Sequence, residues 1–349
     1  MVLAPRKTLA AVLEKIGKPL IIREIEIPNL FFGQVLVKIL YSGVCRSQLM
    51  EISGGRGQDN WLPHLLGHEG SGEVVEIGPG VTKVKPGDKV VLGWIKSSGI
   101  DAEPAKYRYK NSFINSGRVT TFSNYSVVSE SRLNKLPKGL ALDEAVLYGC
   151  ALPTGAGMVL NELDIRPSNS VLILGIGGVG ISALLMLKAL ATKKIIAVDK
   201  IQSKVDFAMT LGVKYALNSS NVNFKSEIKK IIGDGVDFCI ESSGKVETIE
   251  LGYSMIKKGG GQLLFASHPP AEEKINLSPY DLICGKRIAG SWGGGVNPDK
   301  DISRIYKKFK NNGISLEKLI KKRYKLSEIN QAISDLEFGL VFRPIIEME

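Results

Sequence analysis

A glycine-rich turn between a strand and a helix is the feature of this sequence that most constrains its fold. Residues 171–180 read V-L-I-L-G-I-G-G-V-G, and the apolar residues 181–190 that follow predict a helix. The glycines permit a tight turn, a close approach of the backbone to a pyrophosphate and close packing of helix on strand. The pattern predicts a dinucleotide-binding unit whose phosphate loop is formed by Gly175, Gly177, Gly178, Val179 and Gly180.

A carboxylate at the end of the second predicted strand bears on the choice of cofactor. Asp199 stands 19 residues after Gly180. At that spacing its side chain can bind both hydroxyls of an adenosine ribose and would repel a 2′-phosphate. The alternative is that Asp199 only caps the next helix. We expect NAD rather than NADP as the cofactor.

Five apolar runs in the middle of the chain predict the strands of a parallel sheet with helices between them. They are residues 171–174, 195–198, 236–240, 262–266 and 288–292. We therefore expect an α/β chain with a Rossmann-type, doubly wound parallel-sheet domain over residues 152–292.

The flanking segments have a different pattern. Glycine and proline divide the first 130 residues into short β-rich pieces, of which residues 34–41 are the clearest strand, so a barrel-like β region is expected. Residues 97–118 are polar and lack a period, which predicts a surface loop, and residues 342–348 predict a terminal strand. The cofactor domain is thus expected to be inserted into a mostly β domain made of residues 1–151 and 293–349.

The formal net charge of +11 could indicate a nucleic-acid partner or an anionic substrate. A nucleic-acid site would combine basic residues with aromatic ones. The densest basic stretch, residues 300–325, instead has the spacing of solvated helix faces. We expect a small-molecule substrate and no nucleic-acid partner.

No stretch approaches the length of a membrane span, and the apolar run at residues 8–13 is too short for a signal peptide. The four cysteines lie far apart without paired spacing. In a chain of this length they do not describe a disulfide framework, so a cytoplasmic location and no membrane partner are expected.

Two cysteines and a histidine in separate segments offer a metal site. Cys45 follows the strand at 34–41, His68 stands in G-H-E-G beside Glu69, and Cys150 precedes the α/β domain. Such a set suits zinc and leaves a fourth position open to substrate. Taken separately, each cysteine could equally be a small buried hydrophobe.

The same segments, in this order, resemble the zinc-containing medium-chain alcohol dehydrogenase family. The matching motifs are G-V-C-R-S at 43–47, G-H-E at 67–69, G-E-V-V-E-I-G at 72–78, K-P-G-D-K-V at 85–90, G-C at 149–150, T-G at 154–155 and F-R-P at 342–344. The resemblance covers nearly the whole chain. It implies a GroES-like catalytic domain for the outer segments, and hydride transfer between NAD(H) and an alcohol, aldehyde or ketone.

The resemblance also implies the site residues. Cys45, His68 and Cys150 would bind one catalytic zinc per chain, with Glu69 a nearby carboxylate able to coordinate at some stages. The implied cofactor contacts, beyond the glycine loop and Asp199, are Arg46 and Arg343 at the pyrophosphate, Thr154 at the nicotinamide and Lys204 at the adenosine ribose. Ser47 would pass the alcohol proton outward.

Three positions depart from the family pattern. Met50 stands where some members have a histidine that continues the proton path, and Gln48 stands where many have an acid that orients His68. Residues 93–117 contain no cysteine, whereas many members bind a second, structural zinc there. We therefore expect no structural zinc.

Alternatives remain for both the function and the substrate. A zinc-free quinone or enone reductase of the same superfamily would lack the Cys/His/Cys set, and a non-catalytic NAD-binding protein is the second rival. A polyol, sugar alcohol or phosphorylated sugar is a candidate substrate because of the basic residues Lys96, Lys106, Arg108 and Lys110. Trp61, Trp94 and His268 would line the substrate pocket, although core packing would account for the two tryptophans equally well. Analogy suggests a homodimer or homotetramer.

Overall fold

The computed structural model describes residues 6–267, 269–270, 272–320 and 322–349, so the pocket prediction for His268 lies outside the described residues. The strands, in chain order, are β1 (Lys7–Leu13), β2 (Ile21–Glu26), β3 (Gln34–Gly43), β4 (His64–Leu65), β5 (Glu69–Ile77), β6 (Lys89–Gly93), β7 (Lys106–Tyr109), β8 (Ser112–Asn115), β9 (Tyr125–Ser129), β10 (Leu133–Lys135), β11 (Ser170–Leu174), β12 (Lys194–Asp199), β13 (Tyr215–Asn218), β14 (Phe238–Glu241), β15 (Gln262–Phe265), β16 (Arg287–Gly290), β17 (Arg323–Lys325) and β18 (Ile345–Glu347).

The α-helices, in chain order, are α1 (Arg46–Ser53), α2 (Leu142–Ala145), α3 (Ala151–Gly157), α4 (Gly178–Ala189), α5 (Gln202–Thr210), α6 (Phe224–Ile232), α7 (Val246–Met255), α8 (Pro279–Ile283), α9 (Pro298–Asn311) and α10 (Ile329–Glu337). The chain divides into two compact units. The first is Met1–Cys150, Asn297–Tyr306 and Ser315–Glu349, and the second is Ala151–Val296 and Lys307–Ile314.

This division differs from the expected domains at residues 151, 293–296 and 307–314, which group with the cofactor unit. The reason at 293–296 is a close backbone approach. A Cβ added at Gly157 would lie 2.5 Å from the carbonyl oxygen of Gly294 and 2.4 Å from the side chain of Val296. The glycine-rich segment therefore packs on α3 within the second unit.

The first unit is mostly β. Strands β1-β2-β7-β8-β4 close a barrel, and a second sheet has the order β10-β6-β5-β3-β18-β17, with β9 also paired to β3. Alternate residues of the central strand β3, among them Val35, Val37 and Ile39, are buried in the apolar core of this sheet. The barrel-like β region expected from the sequence is confirmed.

The prediction of a loop over residues 97–118 is wrong in part, because β7 and β8 form an antiparallel hairpin there. Tyr107 and Ile114 are buried in the core of the barrel, while Lys106 and Arg108 are exposed. The alternation has the period of a strand, but it lasts for only four residues on each side of the turn. That run is too short to stand out from a polar loop.

Hydrogen bonds to a buried carboxylate and to a partly buried one hold the segment that precedes this hairpin. Glu130 accepts hydrogen bonds from the backbone N–H groups of Thr82, Lys83 and Ile100, each at 2.7 Å. Although burial acts to raise it, these donors hold the pKa of Glu130 below its usual value. Asp101 accepts a hydrogen bond from Ser131 and pairs with basic side chains, including Lys96.

The second unit contains a six-stranded parallel sheet with the order β13-β12-β11-β14-β15-β16. This is the doubly wound arrangement that the sequence predicts, and its strand order reverses between β11 and β14. All five predicted strands are present. The sequence missed β13 because its residues, Y-A-L-N, are only half-buried at the edge of the sheet. Among the described residues no helix is both long and apolar enough to cross a membrane.

Candidate metal centre and nucleotide loop

The structure brings the three predicted zinc ligands together within the first unit. Cys45 caps the N-terminus of α1, His68 directly precedes β5, and Cys150 directly precedes α3. The two Sγ atoms are 4.0 Å apart, and His68 Nε2 lies 3.1 Å from the Sγ of Cys150. With zinc–ligand bonds of about 2.0–2.3 Å, ligand atoms at the corners of a tetrahedral site lie roughly 3.3–3.8 Å apart. The donor set therefore fits a zinc ion.

No other group of three or more metal-binding side chains occurs in the part of the chain that the structure describes. His64 is occupied elsewhere, because its two ring nitrogens contact the side chain of Asp59 and the carbonyl oxygen of Leu65. Cys239 is buried in β14, and Cys284 lies at the end of α8.

Glycines next to two of the ligands make room for Glu69. A Cβ at Gly43 would lie 2.6 Å from a carboxylate oxygen of Glu69, and one at Gly149 would lie 2.8 Å from its Cβ. A larger residue at either position would push the carboxylate away from its place. The glycines of G-V-C and G-C are therefore part of the site.

The two thiols differ in their affinity for a proton. The pKa of Cys45 is well below its ordinary value, first because of the hydrogen bond with Cys150, and also because Arg343 and His68 are close. The same hydrogen bond, together with burial, raises the pKa of Cys150. Zinc binds cysteine as a thiolate, so metal binding at this pair releases a proton.

A buried ion pair lies against the metal ligands. Both carboxylate oxygens of Glu69 are 2.7 Å from the same nitrogen, Nη2 of Arg343. Burial raises the pKa of Glu69 while Arg343 opposes the rise. The observed contact of Arg343 is thus with Glu69, 274 residues away in the chain, a pairing that no local pattern in the sequence indicates. The expected contact of Arg343 with the pyrophosphate remains a prediction.

Gln48 contacts two of the three ligands. Its Oε1 accepts a hydrogen bond from the backbone N–H of Cys45 at 2.7 Å, and its Nε2 lies 2.5 Å from Nδ1 of His68. By residue type alone, Gln48 represents the loss of an acid that orients His68. In the structure it occupies the orienting position itself, three residues along the first turn of α1.

Ser47, two residues after Cys45 in the first turn of α1, has a buried hydroxyl. Its Oγ has no hydrogen-bond partner among the residues that the structure describes. A buried hydroxyl ordinarily finds a partner within the protein or in a bound molecule. The orphaned oxygen fits the predicted role of a contact to an alcohol, and Met50 lies one helical turn further along α1.

The glycine loop of the second unit has a backbone geometry that requires glycine at two of its positions. Gly175 has φ +91°, which favours glycine, and a Cβ at Gly180 would lie 1.9 Å from the carbonyl oxygen of Gly175. A Cβ at Gly177 would meet nothing within 4 Å. Gly177 caps α4, so the open space before the helix N-terminus fits a phosphate group.

The predicted ribose contacts lie at the end of β12. Asp199 accepts hydrogen bonds from the backbone N–H groups of Ile176 and Ile201, and Lys204 Nζ lies 3.9 Å from its Oδ2. Arg46 is exposed and Thr154 is buried. The structure brings Asp199 and Lys204 together as the resemblance implied, and the cofactor contacts of all four residues remain predictions.

The aromatic candidates for the substrate pocket have different environments. Trp61 is 70% exposed, and the backbone carbonyl of Trp94 accepts a hydrogen bond from Arg132. Core packing therefore does not account for Trp61.

A GroES-like unit with a Cys/His/Cys group and a Rossmann-type unit in one chain define a medium-chain dehydrogenase. The family model for the alcohol dehydrogenase GroES-like domain matches residues 32–138, and that for the zinc-binding dehydrogenase matches residues 178–310.

Comparison with individual proteins gives the same result. The putative alcohol dehydrogenase D of Mycobacterium tuberculosis is 30% identical, over 97% of this chain and 99% of its own. An NDMA-dependent alcohol dehydrogenase of Amycolatopsis methanolica is also 30% identical, over 97% and 98%. The crystal structure of benzyl alcohol dehydrogenase from Acinetobacter calcoaceticus superposes with a TM-score of 0.88 at 28% identity, over 99% and 100%.

The chain belongs to the zinc-containing medium-chain alcohol dehydrogenase family. The fold class, the oxidoreductase class and the use of zinc and NAD that the sequence led us to expect are confirmed at the level of this family.

Proposed function

We propose that the chain interconverts an alcohol and its aldehyde or ketone with NAD(H), using one zinc ion held by Cys45, His68 and Cys150. The convergence of these three ligand atoms within 4.8 Å of one another is the observation that carries the proposal. Zinc, when bound, supplies a positive charge that lowers the pKa of an alcohol and polarises a carbonyl group.

The chain's own residues supply the rest of the chemistry. Ser47 accepts the proton of the alcohol and passes it outward, and its unpartnered buried Oγ supports this role. Glu69 and Arg343 form a buried pair of zero net charge. The carboxylate of Glu69 is not in the group of ligand atoms that lie within 4.8 Å of one another, so its coordination of the metal at some stages rests on the family resemblance alone. Asp199 selects NAD over NADP, and the glycine loop binds the pyrophosphate.

Spectrophotometry tests the proposal directly. The purified protein, with its zinc content measured, is assayed for NADH formation with a panel of alcohols and for NADH consumption with the matching aldehydes and ketones. Turnover that disappears with a chelator and returns with zinc supports the proposal. A zinc-free protein that reduces quinones or enones would favour the rival reductase, and NADH binding without any turnover would favour a non-catalytic protein.

The substrate panel must separate three classes of alcohol. The name of one similar structure, benzyl alcohol dehydrogenase, makes an aromatic alcohol the first class. The second is polyols and sugar alcohols, and the third is phosphorylated sugars, which the basic hairpin would attract. The basic residues Lys96, Lys106, Arg108 and Lys110 are all exposed, and Lys96 pairs with Asp101. Reaction of the phosphate ester alone would support an anionic substrate.

We further propose a homodimer or homotetramer in a reducing cytoplasm. In the described part of the chain β16 pairs on one edge only, with β15, and the nearby Ile283 and Trp292 are 82% and 81% exposed. An open strand edge beside exposed apolar side chains favours association. Light scattering tests the mass, and Ile283→Lys should lower it. The four free cysteines agree with a reducing compartment.

A further inference from the structure

A carboxylate with no assigned role lies beneath the nucleotide loop of the second unit. Glu241 ends β14, next to β11 in the parallel sheet, and its side chain is fully buried. Isolated carboxylates are costly to bury, so such a residue needs hydrogen-bond donors. Glu241 finds them in the four residues that follow it and in the first turn of α7.

One oxygen of this carboxylate collects all of those donors. Its Oε1 accepts hydrogen bonds from the backbone N–H groups of Ser243 and Gly244, at 2.7 and 3.2 Å, and from the hydroxyls of Ser243 and Thr248. The other oxygen, Oε2, is buried without a partner among the described residues. Burial raises the pKa of Glu241 despite these donors. The hydrogen bonds to Oε1 of Glu241 thus hold the backbone of residues 242–244 in place.

That short segment, which we call the serine loop (residues 242–244), lies against the glycine loop. Ser242 Oγ donates to the carbonyl oxygen of Gly175 at 2.8 Å, and the backbone N–H of Ser242 donates to Leu174. A Cβ at Gly175 would lie 3.0 Å from the backbone nitrogen of Ser243, and one at Gly180 would lie 2.7 Å from Ser242 Oγ. No larger residue fits between the two loops.

We propose that Glu241 is a positioning residue for NAD(H): through the serine loop it holds the Gly175 turn in the shape that binds the pyrophosphate. This inference rests on the proposed function, because it takes the glycine loop to be the cofactor site. Supporting contacts of this kind set affinity by keeping the binding groups in place before the ligand arrives. Glu241 itself touches no reacting atom.

Calorimetric titration of the zinc-loaded protein with NADH tests the proposal. Glu241→Ala removes the shared acceptor and should raise the Kd for NADH about tenfold, the effect of losing one or two useful hydrogen bonds. Glu241→Gln keeps an acceptor oxygen in place and should stay within about twofold of the parent, because the oxygen that becomes an amide nitrogen had no partner. In steady-state assays of Glu241→Ala, the KM for NAD should rise while the KM for the alcohol should not.

The matched control is Asp237→Ala, because Asp237 directly precedes β14 and so lies at the end of that strand opposite to Glu241. Asp237 accepts hydrogen bonds from Ser170 and from Lys257, away from both loops. Its loss should lower the melting temperature and leave the Kd for NADH unchanged. If Glu241→Ala does not fold, Glu241→Asp replaces it in the test, because its carboxylate is set back by one carbon from the serine loop. Glu241→Asp should also weaken NADH binding.

These measurements distinguish a failure of the proposed function from a failure of the positioning role of Glu241. If the parent protein does not bind NADH, the proposed function fails. If the parent binds NADH and Glu241→Ala (or Glu241→Asp, where the alanine variant does not fold) binds it equally well, or if Asp237→Ala weakens binding as much, then Glu241 only stabilises the fold and the positioning role is overturned.

Discussion

The side-chain amide of Gln48 lies 2.5 Å from Nδ1 of His68 while its oxygen is committed to the backbone N–H of Cys45. An amide has one acceptor atom, so its nitrogen faces the imidazole as a donor. A neutral histidine that binds zinc through Nε2 carries its proton on Nδ1, and two donors would then face each other. Gln48 can satisfy Cys45 or zinc-bound His68, but not both at once.

Replacing the amide by a carboxylate should relieve this conflict. In Gln48→Glu one oxygen accepts from Cys45 and the other from Nδ1 of His68, so zinc should be held more tightly. We expect release of zinc to a chromogenic chelator to slow by about tenfold, the lower end of the effects known for such outer contacts. Glu51→Gln, on the same helix, is the control and should release zinc at the parent rate. Equal rates for all three proteins would contradict the role of Gln48.

Ser47→Ala should lower kcat by roughly two to four orders of magnitude, the scale for losing a positioned proton-transfer group. The Kd for NADH should not change, because the hydroxyl is assigned to the alcohol. Ser53→Ala removes a hydroxyl from the end of the same helix, where it bonds to Met50, and should keep full activity. Met50→His should raise activity near neutral pH by restoring an outer proton acceptor. Near-normal turnover of Ser47→Ala would remove Ser47 from the mechanism.

Elemental analysis should find one zinc ion per chain. Cys150→Ser should lose this zinc and the activity while the protein still folds, and Cys284→Ser, which is far from the cluster in the sequence, should retain both. Two tightly held zinc ions in the parent protein would contradict the expected absence of a structural site. Full activity with no zinc would contradict the mechanism.

Asp199 should make NAD the preferred cofactor, because a 2′-phosphate beside a carboxylate is repelled and desolvated. Asp199→Asn should lower the ratio of kcat/KM for NAD to that for NADP by about tenfold. The exposed Asp206→Asn on α5 removes a similar charge nearby and should leave the ratio unchanged. A parent protein that prefers NADP would show that Asp199 has been misassigned.

The stability of the first unit should depend on acid through Asp335. Hydrogen bonds from Lys322, Tyr324 and Gln331 lower the pKa of this carboxylate to about 2. Since its pKa is higher in the unfolded chain, its stabilisation is complete above about pH 4 and is lost as the pH falls towards 2. Asp335→Asn should therefore melt below the parent at pH 6, and the gap should narrow at pH 3. A gap that is the same at both pH values would exclude this linkage.

The sequence alone was sufficient to predict the features that depend on residues close together in the chain. The run from residue 171 to Gly180 predicted a strand, a turn and a helix because Gly175 and Gly180 each have a local steric reason. The zinc ligands required the family resemblance, since Cys45, His68 and Cys150 are separated by many residues and nothing local distinguishes a ligand from a buried thiol.

The sequence alone did not predict contacts between residues that are far apart in the chain. The pair of Glu69 and Arg343 joins residues at opposite ends of the chain. The residue type of Gln48 indicates only the loss of an acid, whereas in the structure its amide contacts both Cys45 and His68. The hairpin at 106–115 was missed because charged and buried residues alternate there over too short a span.

The carboxylate of Glu130 gives the segment around Ile100 an anchor made only of hydrogen bonds. Chelating agents therefore cannot loosen this anchor. An enzyme stripped of its metal should resist proteolysis there as well as the loaded one, and it should recover on dialysis against zinc without a refolding step. Catalysis thus depends on the metal, whereas the fold of this segment depends on hydrogen bonds. Exchange of the metal, for example for cobalt, should therefore leave the segment folded.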